Sequence, residues 1–154
     1  MKKLVLTIAV VLFGLAVSAQ SYSKDEVLVK VWGNKYAGED VEVINYFVNG
    51  KLDHQWIWWS FQNAKYSSIT DIGSIYATDR ESLDELISDF ETALKLSTEN
   101  VNWTSKSGKV GCGESGYITI NDTGKYTPSK YTFVRKKHLI KVINSLKEFK
   151  FVGE

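Results

Sequence analysis

At Thr78 the chain changes hydrophobic period, and this switch narrows what it can fold into more than any other feature. Upstream, apolar residues come in short β-branched or aromatic runs cut by turn formers. Downstream, Leu83, Leu86, Ile87, Phe90 and Leu94 fall in one stripe at 3.6-residue spacing. Runs of strands followed by helices exclude both an all-β sandwich and a helical bundle and point to an α+β architecture.

The upstream runs predict strands over 27–32, 41–48, 55–62 and 68–76. Gly33-Asn34 ends the first, and Asn49-Gly50 separates the second from the third. Asn-Gly is the strongest short hairpin signal, because both residues tolerate the positive φ of a type I′ turn. Strands two and three are therefore expected to pair antiparallel. Thr78 followed by Glu81 has the form of a capping box and predicts a helix from about Asp79 to Leu96.

Residues 97–116 are dominated by Ser, Thr, Asn, Gly and Lys, with Val101, Trp103 and Val110 as the main apolar interruptions. There is room for one short strand in an otherwise long excursion, and loops beyond about 12–15 residues are uncommon without a function or mobility. Tyr117 to Ile120 then reads as a strand, Asn121-Asp122-Thr123-Gly124 as a turn, and Tyr131 to Val134 as the return strand approached through Pro128, the single proline. A second helix is predicted over Arg135 to Lys147, burying Leu139, Ile140, Ile143 and Leu146. The expected fold is α+β, with an antiparallel sheet of about five to seven strands and two amphipathic helices packed on one face. A strand pair followed by a helix occurs over Gln55–Leu96 and again over Gly116–Lys147, a topological echo without repeated residue identity.

Residues 1–19 read as a secretory signal peptide. Lys2 and Lys3 precede the apolar run Leu4 to Leu15, and Val17-Ser18-Ala19 supplies small side chains before Gln20. Residues 20–154 form one expected α+β domain. Losing Lys2 and Lys3 takes the formal charge from +1 to about −1, which offers nucleic acid no global attraction. No cysteine follows the cleavage position to carry a lipid anchor, and nothing after Gln20 reaches the roughly 18 apolar residues of a spanning helix. The expected location is periplasmic or secreted. Cys112 is the single cysteine, so no intramolecular disulfide is possible and the core alone must hold the fold. Without a Cys-x-x-Cys pattern or a histidine nearby in sequence, Cys112 is expected to be structural.

The least ordinary feature is the aromatic run at 55–62. In a straight strand Ile57, Trp59 and Phe61 face one side while Trp56 and Trp58 face the other. The helix layer needs only one side. Trp56 and Trp58, with Tyr46 across the hairpin, are therefore candidate partner-binding residues, since rigid aromatics yield binding energy at low entropy cost. Burial on both sides and stacking on a sugar are the competing roles.

Catalytic and metal patterns are thin. His54 follows Asp53, but beside a hairpin turn such polar residues need no special explanation. No zinc, calcium or phosphate-loop spacing is present, and Gly108, Gly111, Gly113 and Gly116 around Cys112 do not match a nucleotide cradle. No catalytic, cofactor-binding or metal-binding residues are assigned, and no cofactor is expected. Charge is sorted along the chain, with residues 79–100 acidic and residues 125–154 basic; the bases Arg135, Lys136, Lys137 and Lys141 read as a solvated helix face. Asn102 and Asn121 head Asn-x-Thr sequences and, if modified, must be exposed. The expected function is an exported, noncatalytic binding or envelope-associated domain with a protein partner; the alternative is a secreted hydrolase with an unfamiliar site. Carbohydrate is the lesser partner, and oligomeric state is not legible.

Overall fold

The computed structural model describes residues 20–31, 39–66, 68–124 and 129–154. The chain begins with four strands, β1 (Ser21–Val31), β2 (Glu39–Val48), β3 (Lys51–Gln62) and β4 (Ile72–Ala77). Each pairs antiparallel with its neighbour in sequence, giving a sheet of order β1-β2-β3-β4. Asn49 and Gly50 adopt φ of 53° and 73°, the double positive φ of a type I′ turn. β1 starts earlier than the apolar run suggested, because Ser21 to Lys24 pair with Ile44 to Phe47. Its register shifts between Lys24 and Glu26 and again between Val27 and Val29. Such bulges on an open edge twist the row of unpaired backbone groups out of line. Trp32, the turn expected at Gly33-Asn34, the segment 1–19 and Pro128 lie outside the described residues.

Helix α1 (Arg80–Thr98) follows β4. Its N-cap is Asp79 and not Thr78, and its capping box closes on Ser82 and not Glu81: the Asp79 carboxylate accepts from Ser82 N at 2.8 Å, and the Ser82 hydroxyl accepts from Asp79 N at 3.2 Å. A carboxylate held this way stays below the usual aspartate range, because the Ser82 side chain and amide both favour its ionised form. Leu83, Leu86, Ile87, Phe90 and Ala93 form the buried stripe, with Leu94 partly buried beside it.

The excursion at 97–116 holds two short strands, β5 (Trp103–Thr104) and β6 (Val110–Cys112), which precede β7 (Ile118–Asp122) and β8 (Lys130–Val134). Together they make a second antiparallel sheet of order β5-β6-β7-β8. The single sheet of five to seven strands expected from the sequence is thus two four-stranded sheets. The physical reason lies at β4, whose free edge is not extended by backbone pairing. Side chains and strand ends bridge it instead: Ser74 N donates to the Asp122 carboxylate at 3.1 Å, and the Lys130 ammonium reaches Ile72 O at 2.8 Å and Asp71 at 2.7 Å. Ala64 N also donates to Tyr131 O at 2.7 Å.

Helix α2 (Lys136–Glu148) buries Leu139, Val142, Ile143 and Leu146. Ile140, expected inside, is 44% exposed. Val142 takes the inward position, and Ile140 lines the open groove between α2 and α1. One cluster of buried apolar side chains draws on both sheets and both helices. α1 touches β4, β5, β6 and β7, while α2 touches β1 and α1, so the helices form one layer and leave the opposite faces of the sheets open. The echo in the sequence is larger in three dimensions, as four meandering strands and then a helix occur twice.

Candidate functional site

β3 sorts its side chains by parity. Ile57, Trp59 and Phe61 are 1–2% exposed and point at the helices, with Trp59 meeting Phe90 edge-on at 5.6 Å between ring centroids. Trp56 and Trp58 are half-buried on the opposite, helix-free face. Tyr46 joins them there because of a register shift between Tyr46 and Phe47, which pairs Tyr46 with His54. Counting from the two-residue turn alone would pair Tyr46 with Asp53 and turn it toward the core.

The result is a continuous band of rings. Tyr46 stacks on His54 with centroids 4.6 Å apart and planes 15° apart, and lies 4.9 Å from Trp56. Trp56 and Trp58 are parallel, and Tyr76 on β4 closes a triangle with them at 5.3 Å and 5.8 Å, within 15° of both planes. Tyr22 on β1 extends the band beyond Tyr46, with centroids 6.1 Å apart. Exposure rises outward, reaching 70% at Tyr22 and 45% at Tyr76. Such a surface offers large, rigid area for contact.

Two lysines flank the band. Lys24 pairs at 2.5 Å with Glu42, which lies opposite Trp58 in the ladder. Lys109, just before β6, places its ammonium 5.4 Å from the Tyr76 ring centroid. Lys109 has the strand parity of Gly111, the side of the second sheet that also carries Thr119, Phe133 and Tyr131. The helix-free faces of the two sheets therefore meet at the Tyr76–Lys109 contact. On the second sheet Phe133 packs at 5.6 Å against Tyr117 and 5.5 Å against Tyr131.

Of the residues picked out from the sequence, Tyr46, Trp56 and Trp58 come together. Tyr22, His54 and Tyr76 complete the band and were missed. Their signal is register: Tyr22 faces Tyr46, Tyr46 faces His54, and Trp58 faces Tyr76.

Clefts border the first sheet as well, and two of them hold titratable groups from its strands. One, of about 320 Å³, is lined by residues including Asp53, His54, Thr78, Asp79 and Arg80. His54 Nδ1 bonds Asp53 at 2.7 Å, while the Thr78 hydroxyl donates to Asp79 at 3.3 Å, away from the imidazole. The carboxylate of Glu154 clasps the Arg80 guanidinium, and Arg80 holds its pKa below the usual glutamate range. The other cleft, of about 450 Å³, is lined by Asp25, Asn45, Gln55 and Glu148 among others. Hydrogen bonds from Ser23 and then Asn45 keep Asp25 below the usual aspartate range. Among the described residues no group of three or more His, Cys, Asp or Glu is placed to hold a metal ion. Cys112 is buried, its thiol donating to Val101 O at 3.3 Å, and burial pushes its pKa up.

No family model matches the chain, and neither a curated protein nor a solved structure matches it.

Proposed function

We propose that the chain is an exported, noncatalytic binding protein, periplasmic or secreted, and that the aromatic band on the helix-free face of its first sheet is the contact surface for a protein partner. The observation that carries this reading is the continuity of six side chains, Tyr22, Tyr46, His54, Trp56, Trp58 and Tyr76, on a face that neither helix covers. A helix-packed domain gains little from rings on its open side. A binding surface gains a cluster of anchors, since a few buried aromatics dominate most interfaces. The graded exposure, with half-buried indoles at the centre and open tyrosines at the ends, suits an interface core surrounded by a rim.

Replacing Trp56 and Trp58 together by alanine tests this reading. The partner captured by the wild-type chain from envelope extract should be lost by more than about 30-fold, or 2 kcal/mol, while circular dichroism stays near wild type. Severe loss of stability would assign the pair to the fold, and unchanged capture would remove the band from the interface.

The alternative, a hydrolase, draws on one observation, the meeting of His54, Asp53 and Thr78 in one cleft. It requires His54→Ala to abolish turnover in a panel of ester, glycoside and peptide substrates without altering capture of the partner.

A further inference from the structure

Glu39, the first residue of β2, has no solvent exposure. Its Oε1 accepts from the Thr132 hydroxyl of β8 at 2.7 Å, across 93 positions of sequence, and its Oε2 has no hydrogen-bond partner. This contact crosses the seam between the two sheets. Further polar bridges cross that seam from Tyr131 to Ala64 and Asn63, from Asp122 to Ser74, and from Lys130 to Asp71 and Ile72 O.

The surroundings of Glu39 are apolar on each strand packed against it. Val31 faces it from β1, Val41 follows it on β2, Phe61 lies level with it on β3, and Val134 follows Thr132 on β8; all four side chains are at most 3% exposed. The charged groups of those strands point elsewhere. Lys30 and Asp40 occupy the opposite face of the first sheet by parity, and the Lys130 ammonium is held by Asp71 and Ile72 O. The Thr132 hydroxyl is thus the single polar group that meets the carboxyl among the described residues. A neutral acid fits this place at modest cost. Either form leaves Oε2 without a hydrogen-bond partner, but an ion adds a charge that no described residue neutralises, an expensive state in an apolar interior.

We propose that Glu39 is a proton-operated latch between the two sheets: protonated, it ties β8 to β2, and ionised, it loosens the second sheet from the first. Burial lifts its pKa to about 7, against the smaller opposing pull of Thr132. The folded chain therefore holds a proton that the unfolded chain releases near 4.5. Between those two values each rise in pH favours unfolding, and above the upper one the latch contribution is gone. Because the second sheet carries Lys109 onto Tyr76, the state of the latch reaches one end of the aromatic band.

The test uses the full purified chain. Carbon-13 NMR of the Glu39 carboxyl should show a midpoint near neutrality, whereas a midpoint near that of an exposed glutamate overturns the proposal. Urea unfolding from pH 5 to pH 8 should show the folding equilibrium constant of the wild type falling on the order of 100-fold. In Glu39→Gln the same range should change it by less than about threefold beyond what other groups contribute; an equal fall in both proteins overturns the assignment. Hydrogen exchange, corrected for intrinsic rates, separates a latch from general stability. Protection in β7 and β8 should fall with pH before protection in β2 and β3, and an even loss would reject the latch. Should the glutamine variant fail to fold, the wild-type carboxyl titration and exchange profile decide the matter alone.

Discussion

The indole planes of Trp56 and Trp58 lie within 1° of parallel, their centroids 6.3 Å apart. Two residues apart on a strand, they are translated copies of one another, and the flat face of β3 sets their spacing. Tyr76 across the ladder holds both in place. The arrangement gives the first prediction. Acrylamide should quench emission from Trp56 and Trp58 while leaving Trp59, buried against Phe90, dark to the quencher. In Trp56→Ala/Trp58→Ala the quenchable fraction should drop. An unchanged fraction would mean that the band is covered in solution.

Phe90→Ala should cost about 3–5 kcal/mol in urea unfolding, since the ring has no exposure and its loss opens a cavity against Trp59. Lys95→Ala, on the exposed flank of the same helix, should change stability by less than about 0.5 kcal/mol. A loss below about 0.5 kcal/mol for Phe90→Ala would sink the placement of α1.

Gly73→Ala and Gly50→Ala should both destabilise, for different reasons. A Cβ on Gly73 would come within 2.7 Å of the Phe61 ring and 3.0 Å of Lys130 Cβ, so the seam must shift, at about 1–3 kcal/mol. At Gly50 the space is open and the penalty of about 1–2 kcal/mol comes from its φ of +73° alone. Asparagine, which tolerates that φ, should recover most of the loss at position 50 and none at position 73, as read by thermal unfolding.

Cys112 should react slowly with iodoacetamide in the native chain and at an ordinary thiol rate once the chain is unfolded. The thiolate is the reactive form, and burial disfavours it here. Fast native labelling would show that the β5–β6 region opens readily.

The period switch at Thr78, the Asn49-Gly50 turn and the parity of Ile57, Trp59 and Phe61 are local properties, and all were legible. So was the grouping of Trp56 with Trp58, which share one strand. That Tyr46 shares their face was not legible from the turn, because it rests on a bulge between Tyr46 and Phe47 that depends on how two strands settle together. The division into two sheets was hidden for a similar reason. β5 and β6 have two and three residues, too few to show a period, and the backbone of β4 is met at Ser74 and Ile72 by Asp122 and Lys130, from a distant part of the chain. The cap at Asp79 was missed by one position, since the capping geometry accepts either acid or hydroxyl and only the backbone angle decides.

Both sheets run in simple meander order, so within each sheet a strand pairs with the strand just made. No pairing within a sheet waits for a remote segment, and the loops to be closed are short. The slow step of folding should then be the joining of the completed halves, when Glu39 finds Thr132. A chain delivered amino end first would finish its first sheet before the residues of the second had arrived, and acid conditions would speed the final union rather than the early ones.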